Sequence, residues 1–121
     1  MNTKRILVID DEKNVAKMFS RRLKRAGYVV EIAHDGATGI ELALENLPDL
    51  IILDIQMPSM NGYEVIGQLR ELGYSGLVTA CSASVTEKDS QRSIEAGCDH
   101  FISKPIGLDF EDQIFNLLNP A

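Results

Sequence analysis

Three carboxylates follow two aliphatic segments of this chain. Asp10 and Asp11 come directly after the run at residues 6–9, and Asp54 follows the run at residues 50–53. A continuous aliphatic run is typical of a strand buried on both faces of a parallel sheet. Packing does not explain an acid at the end of such a strand. Because open α/β folds place their ligands at the carboxyl ends of the strands, we expect the three acids to meet at one edge.

Carboxylates that crowd together repel one another, and a divalent cation relieves the repulsion. Mg²⁺ suits such a site best, because proteins usually hold it with one or two carboxylates, water and a phosphate group; Mn²⁺ is the alternative. A carboxylate can also act as the nucleophile and form an aspartyl phosphate. The three acids therefore predict a metal-assisted site for phosphoryl transfer.

Two further polar residues end neighbouring predicted strands. Lys104 follows the fifth strand and could neutralise phosphoryl oxygens, and Ser82 ends the fourth and could donate a hydrogen bond to them. Each residue alone has an ordinary interpretation: a surface lysine, an unremarkable serine, a turn former at Asp54. One acid of residues 10–12 is expected to cap the first helix. The joint arrangement favours a functional site.

Strand and helix patterns alternate along the whole chain. The strands are predicted at residues 6–9, 28–33, 50–53, 77–81 and 101–102, and each is followed by a helix. The predicted buried helix faces are, in order, Val15, Met18, Phe19, Leu23 and Ala26; Ala37, Ile40, Leu44 and Leu47; Val65, Ile66, Leu69 and Leu72; Val85, Ile94 and Ala96 in a helix over 84–96; and Phe110, Ile114, Leu117 and Leu118.

This alternation predicts an α/β fold with a parallel five-stranded sheet covered by helices on both faces. Right-handed connections favour the doubly wound order 2-1-3-4-5, as in flavodoxin-like three-layer sandwiches. In that order the switch point lies between strands one and three, which are the strands that end in the acids.

Composition narrows the class of protein. The chain has 121 residues, which we interpret as a single domain over 1–121. Its net charge of −6 argues against direct binding of nucleic acid, and no segment is long and apolar enough to span a membrane. Cys81 and Cys98 form no metal or disulfide motif, so a cytoplasmic location is expected.

The chain closely resembles the receiver domains of two-component response regulators, including the single-domain chemotaxis type, over essentially its whole length. The motifs that carry the resemblance are Ile-Leu-Val-Ile-Asp-Asp-Glu at 6–12, Asp-Leu-Ile-Ile-Leu-Asp-Ile-Gln-Met-Pro at 49–58, Met-Asn-Gly at 60–62, Glu-Ala-Gly at 95–97 and Lys-Pro at 104–105.

The resemblance implies a signalling switch rather than an enzyme with its own substrate. Asp54 would accept a phosphoryl group from a phosphohistidine on a sensor histidine kinase or a histidine phosphotransfer protein. Asp11 would be the principal metal ligand, with Asp10, Asp54 and the backbone carbonyl of Gln56. Lys104 would pair with the phosphate, next to a bond to Pro105 that is often cis in the family.

The resemblance also implies how the phosphate is sensed. Spacing from residues 96–97 and from Lys104 selects Ser82 as the switch hydroxyl and leaves Thr79 inside the fourth strand. Phe101 falls at the aromatic switch position, where an ordinary core aromatic is the competing interpretation. Gln56 and Ser84 occupy the positions that tune dephosphorylation. The face formed by the fourth helix, the fifth strand and the fifth helix would bind a downstream protein or a second copy.

Three other functions compete with the switch. A haloacid-dehalogenase-type phosphatase needs an Asp-x-Asp pattern, which residues 10–12 lack. A flavin-binding protein needs a phosphate-binding loop after the first strand, where Asp11 and Glu12 would repel the phosphate. A degenerate receiver that only binds partners is disfavoured by the complete acidic set. The cognate kinase, the output, the phosphorylation lifetime, the oligomeric state and the possibility of a longer parent protein stay open.

Overall fold

The computed structural model describes residues 3–58, 60–83 and 87–120 of the chain. In chain order its strands are β1 (Arg5–Ile9), β2 (Val29–Ala33), β3 (Leu50–Asp54), β4 (Gln56–Met57), β5 (Met60–Asn61), β6 (Leu77–Ser82) and β7 (His100–Ser103). The helices are α1 (Lys13–Arg25), α2 (Gly36–Asn46), α3 (Gly62–Glu71), α4 (Glu87–Ala96) and α5 (Phe110–Leu118).

Five strands form one parallel sheet in the order β2-β1-β3-β6-β7. The predicted order 2-1-3-4-5 and the α/β class are therefore confirmed, with β6 and β7 as the fourth and fifth predicted strands. Each predicted strand agrees with the observed one to within one residue at either end. Runs of β-branched and aliphatic residues between turn residues are a strong signal for buried strands, which explains the agreement.

The hydrophobic core lies on both faces of the sheet. Alternate residues of β1 point to opposite sides, so Ile6 and Val8 pack with α1 and α5, whereas Leu7 and Ile9 pack with α2 and α3. The central strand β3 is buried along its whole length. Because both faces of the sheet are covered, the acidic side chains that follow β1 and end β3 lie at the carboxyl edge of the sheet.

The buried face predicted for α2 was wrong at all of its positions except Ile40. Leu44 and Leu47 are 36% and 65% exposed, Ala37 is exposed as well, and the buried face consists of small residues with Ile40. The reason is close packing on β1: a Cβ atom added to Gly39 would lie 2.5 Å from Cδ1 of Ile9. Helical spacing of large apolar residues could not reveal a contact surface built from glycine and alanine.

Other predicted core residues lie at the ends of helices, where a side chain can leave the core. Leu72 follows the last residue of α3 and is 56% exposed, and Ala26 is the exposed C-cap of α1. Ile94 of α4 is 60% exposed. Within the predicted helix 84–96, the described part is α4 from Glu87, and Ser84 and Val85 lie outside the described residues.

A two-stranded antiparallel ribbon, β4 with β5, lies between β3 and α3, where the sequence predicts no strand. Strands of two residues are too short to show an alternating pattern, so the sequence carried no signal for them. Among the described residues, no helix combines the length and the apolar character that crossing a membrane requires.

Candidate functional site

Three carboxylates meet at the carboxyl edge of the sheet. Asp10 and Asp11 follow β1 and Asp54 ends β3, and one carboxylate oxygen from each lies within 4.8 Å of the others. The two strands are parallel neighbours, with Ile9 in register with Leu53, so the residues that follow them are placed side by side. Asp10 and Asp54 are buried, and Asp11 is half-buried. The predicted clustering of the acids is therefore confirmed.

Lys104 joins the carboxylates from the end of β7. Its Nζ lies 3.0 Å from Oδ2 of Asp10 and 3.5 Å from Oδ2 of Asp54. Its backbone N–H donates to the carbonyl oxygen of Ser82 at 2.8 Å, and its bond to Pro105 is cis. The Lys104 side chain as a whole is 17% exposed.

The two buried carboxylates are held in the same manner. Oδ1 of Asp10 accepts a hydrogen bond from the backbone N–H of Glu12, and Oδ1 of Asp54 accepts one from Gln56, both at 3.0 Å. In each case Oδ2 faces Lys104. The backbone thus orients both carboxylates and leaves one oxygen of each for a cation.

The expected acidic helix cap is not formed. Glu12 occupies the N-cap position of α1 without a side-chain capping bond, and Asp10 accepts from Glu12 rather than from the first turn of the helix. A capping acid must sit at the N-cap with its side chain over the N2 or N3 amide, and Asp10 is two residues too early. The carboxylate of Asp10 belongs to the acidic cluster instead.

The three carboxylates of the cluster carry more negative charge than the Lys104 ammonium neutralises. Burial raises the pKa of Asp54 above its ordinary value, as do the neighbouring Asp10 and Asp11, while the Gln56 amide and Lys104 act in the opposite direction without cancelling the shift. For Lys104, burial lowers the pKa, but the hydrogen bond to Asp10 and the charge of Asp54 outweigh it and raise the pKa. Three carboxylates against one ammonium therefore favour uptake of a cation.

The donor set fits a hard divalent ion. Every ligand that the cluster offers is an oxygen, and this is the preference of Mg²⁺ and Mn²⁺ rather than of Zn²⁺. Cys81 is the register partner of Asp54, but burial raises the pKa of its thiol to about 12, so it remains a neutral thiol. The acidic cluster is thus suited to binding a metal ion through oxygen ligands, without a sulfur ligand.

Ser82 and Thr79 lie where the sequence places them. Ser82 is the last residue of β6, one residue beyond the partner of Asp54, and it is fully buried. Thr79 lies in the interior of β6, in register with Ile52 and His100, away from the edge of the sheet. Only Ser82 is therefore placed at the site.

Phe101 and Gln56 are the two remaining predicted residues that the structure describes. Phe101 is half-buried in β7, in register with Ala80, and packs against the core on the α2 and α3 side of the sheet. Gln56 is exposed at the start of β4, and its backbone amide contacts Asp54. The roles of both residues stay predictions.

Two supports of the site were not predicted. Gly62, the first residue of α3, lies so close to Ile55 that an added Cβ atom would be 2.4 Å from Cα of Ile55, and this contact holds the segment after Asp54 in place. His34 lies with Nδ1 3.1 Å from the carbonyl oxygen of Asp10, which makes the ring nitrogen the donor. The Asn61-Gly62 pair was a signal for the first contact, and the sequence held none for the second.

Comparison with known families identifies the class of this site. A sequence model described as the response regulator receiver domain matches residues 6–114, and the chain belongs to that family. It is therefore a receiver domain of the two-component signalling type.

Individual relatives agree with this assignment. The chain is 36% identical over 105 residues to the response regulator MprA of Mycobacterium ulcerans (strain Agy99) and 35% identical to that of Mycobacterium avium (strain 104). These matches cover 87% of this chain and 45% and 46% of the relatives. The matched part thus spans about half the length of these curated relatives.

Solved structures share the fold. A CheY-like receiver domain from Methanospirillum hungatei JF-1 has a TM-score of 0.90 at 28% identity, covering 97% of this chain and 94% of that one. The chemotaxis protein CheY4 of Vibrio cholerae has a TM-score of 0.91 at 24% identity, covering 96% and 99%. A response regulator from Burkholderia pseudomallei, solved with a phosphorylated aspartic acid, a calcium ion and citrate, has a TM-score of 0.85 at 25% identity, covering 97% and 67%.

Proposed function

We propose that this protein is a phosphorylation-controlled switch whose phosphoryl acceptor is Asp54. The observation that carries the proposal is the convergence of three carboxylates and the Lys104 ammonium at one edge of the sheet. Asp54 suits the acceptor role because one carboxylate oxygen is held by the Gln56 amide and the other faces Lys104. The solved Burkholderia relative, which carries a phosphorylated aspartic acid, supports this chemistry.

The donor is a phosphohistidine on a sensor histidine kinase or on a histidine phosphotransfer protein. A carboxylate oxygen of Asp54 attacks phosphorus, an oxygen–phosphorus bond forms, and the phosphorus–nitrogen bond to the imidazole breaks. The departing nitrogen keeps the electron pair and takes up a proton. Hydrolysis later returns Asp54 to a carboxylate and releases inorganic phosphate. The protein therefore promotes only its own phosphorylation and dephosphorylation, and has no other substrate.

The residues of the site have different roles in this transfer. Asp10, Asp11, Asp54 and the backbone carbonyl of Gln56 would hold Mg²⁺ or Mn²⁺, which supplies positive charge to the phosphoryl oxygens when bound. Lys104 adds a second positive charge from the carboxyl end of β7, since its Nζ already contacts Asp54. Asp10 keeps Lys104 in position through their 3.0 Å contact.

Phosphorylation would be sensed through β6 and β7. The hydroxyl of Ser82 would move toward the phosphoryl oxygens, and Phe101 would turn inward behind it. The face formed by α4, β7 and α5 would then change its affinity for a downstream protein or a second copy of the chain. Support for a movable α4 comes from its thin apolar contact with the core, since Ile94 is 60% exposed. We place this activity in the cytoplasm.

Phosphorylation by a small donor tests the proposal directly. The protein is incubated with Mg²⁺ and acetyl phosphate, and its intact mass is measured. We expect one phosphate adduct in the wild type and in Asp112→Asn, an exposed acid remote from the cluster, and no adduct in Asp54→Asn. A wild type without an adduct would overturn the proposal and favour a receiver that only binds partners.

A further inference from the structure

Helix α2 ends in a backbone conformation that normally selects glycine. Leu47, its C-cap, has a φ of 48°, and among the described residues it is the one non-glycine residue in this left-handed region. The turns after α1, α3 and α4 use Gly27, Gly73 and Gly97 instead. The Leu47 side chain is 65% exposed, so packing in the core does not explain it. A leucine that strains the backbone and adds little to the core is expected where the side chain meets another molecule.

Leu47 forms part of a groove at the amino edge of the sheet, where the strands begin. The groove has a volume of about 280 Å³, and its other lining residues include Pro48, Tyr74, Gly76 and Leu77. These residues precede or begin β3 and β6, so the groove opens at the edge opposite to the acidic cluster. The length of β3, about 13 Å, separates the two. An occupant of the groove therefore leaves the acidic cluster accessible.

Hydrogen bonds hold the walls of this groove in place. The hydroxyl of Tyr74 donates to the carbonyl oxygen of Pro48 at 2.7 Å. Nη1 of Arg70 donates to the carbonyl oxygens of Tyr74 at 2.9 Å and Gly76 at 2.7 Å. A Cβ atom added to Gly76 would lie 2.2 Å from the Tyr74 hydroxyl oxygen, so these walls touch. The groove is thus formed before a ligand arrives, which lowers the entropic cost of binding.

Two further exposed leucines belong to the same end of the molecule. Leu44 precedes Leu47 by three residues and is 36% exposed, and Leu72 precedes Tyr74 by two residues and is 56% exposed. Helices α2 and α3 pack against each other, and both end at the amino edge because each is followed by a strand that begins there. The three leucines therefore give the groove an apolar surround, which is typical of a contact surface for another protein.

The charge of this region is negative. Residues 36–76 contain six acidic residues and one basic residue, Arg70, whose guanidinium is bonded to backbone carbonyls and to Asp99. Glu45 and Glu71 are neighbours of the exposed leucines in the chain, and both are exposed. Within the described part of the chain, neither belongs to an ion pair. Their charges are therefore available to cations of a partner.

We propose that this groove docks a basic amphipathic segment of a partner protein. One apolar side chain of that segment fills the groove beside Leu47, and its lysine or arginine side chains face Glu45 and Glu71. Recognition of this kind combines an apolar anchor with charged flanks. An anionic membrane or a nucleic acid would be repelled by the acids of residues 36–76. A second copy in a symmetric contact would bring the same acids against one another.

Random peptides displayed on phage test this pairing. The library is depleted on Leu47→Gly and then selected on the wild type, and the most enriched peptide is synthesised with a fluorescein label for fluorescence polarisation. We expect enriched peptides to carry lysine or arginine on both sides of a large apolar residue. Leu47→Gly should weaken binding by about tenfold or more. It should keep or raise Tm, because glycine suits the left-handed conformation.

The contribution of charge is measured separately. Glu45→Gln/Glu71→Gln should weaken binding of the same peptide by about threefold or more at ~0.05 M salt, and raising the salt to ~0.5 M should then change the affinity little. The matched controls are Leu108→Gly, at a side chain that is 99% exposed, and Glu64→Gln/Asp112→Asn, at two other exposed acids. Each control should bind the peptide as the wild type does.

Enrichment of no peptide, or of peptides without basic flanks, overturns the inference. An enriched peptide that binds Glu45→Gln/Glu71→Gln as tightly as the wild type also overturns it. A wild-type dimer in sedimentation that Leu47→Gly abolishes would identify a second copy as the occupant, and binding to phosphatidylserine vesicles that Leu47→Gly abolishes would identify a membrane. Either result contradicts the proposal. If Leu47→Gly lowers Tm, Leu72→Ser supplies the same comparison.

Discussion

Two clusters of charged side chains connect separate elements of this domain, and they differ in how completely their charges are satisfied. The edge cluster consists of Asp10, Asp11, Asp54 and Lys104, where three carboxylates share one ammonium. The second, the Arg70 cluster, joins the guanidinium of Arg70 to the turns that precede β6 and β7. The first holds an excess of charge that a ligand could neutralise, and the second does not.

In the Arg70 cluster, the charged groups are paired with hydrogen-bond partners. The guanidinium donates to the carbonyl oxygens of Tyr74, Gly76 and Gly97 and to Oδ2 of Asp99, at distances of 2.7–3.0 Å. That same carboxylate oxygen accepts from the amide of Val78 at 2.9 Å. A guanidinium with this many hydrogen bonds to neighbouring turns is typical of a structural contact.

The comparison shows why charge alone does not identify a functional site. Both clusters contain a cation and at least one carboxylate in contact with it. Only the edge cluster contains like charges that the fold forces together, and burial raises the pKa of Asp54 there. A polar group that folding leaves uncompensated is available for a ligand, whereas a compensated one stabilises the fold.

The largest effect on stability is expected from Arg70→Met. The substitution removes the side-chain donor of three backbone carbonyls and leaves the Asp99 carboxylate with the Val78 amide, so the free energy of unfolding should fall by about 3 kcal/mol in urea titration. The control is Arg92→Met, which removes the contact of the guanidinium with the Tyr63 ring at 4.2 Å and should cost about 0.5–1 kcal/mol. Equal losses in the two variants would contradict a structural role for the Arg70 cluster.

The second largest effect is expected from adding Mg²⁺, which should act at the edge cluster and not at the Arg70 cluster. At a concentration about 100-fold above its dissociation constant, Mg²⁺ is expected to stabilise the wild type by about 2.7 kcal/mol, measured as a rise in Tm. Arg70→Met should keep this increment, and Asp11→Asn should lose most of it, because Asp11 belongs to the acidic cluster and Arg70 does not. A Tm of the wild type that does not respond to Mg²⁺ would argue against a metal site.

Without metal, Asp54→Asn should stabilise the protein by about 1 kcal/mol at neutral pH. Folding raises the pKa of Asp54 above 3.8, so the folded state binds the proton more tightly than the unfolded chain. The stability of the wild type relative to Asp54→Asn should therefore fall as pH rises from about 3.8 through the raised pKa, and then stay constant. Urea titrations of both proteins across that range measure it, and a less stable Asn variant at neutral pH would disprove it.

The smallest effect is expected at Thr79, whose hydroxyl has an unsatisfied hydrogen-bonding group that no ligand can reach. Within the described residues, its hydroxyl is fully buried and has no hydrogen-bond partner. Thr79→Val should raise the free energy of unfolding by about 1 kcal/mol, since the valine keeps the shape and removes the unpaired hydroxyl. Thr79→Ser keeps the hydroxyl and loses the methyl group, so it should be less stable than the wild type. A loss of stability in Thr79→Val would indicate a hydrogen bond at that position.

Much of the site could be predicted because its residues follow strands that the sequence marks clearly. Asp10 and Lys104 directly follow strands and Asp54 is the last residue of one, and parallel strands bring such positions to the same edge. The helix faces were predicted less well. Ile40 is buried as expected, but Leu44 and Leu47 are exposed, because α2 approaches the sheet through Gly39 and Ala43.

The sequence by itself determined the chemistry of the site and the order of the elements, because both depend on residue type and on spacing along the chain. Only the tertiary structure decided which oxygen of each carboxylate faces Lys104 and how the ribbon after Asp54 is held. These features depend on contacts between residues far apart in the chain, and on distances of a few ångströms that no local pattern records.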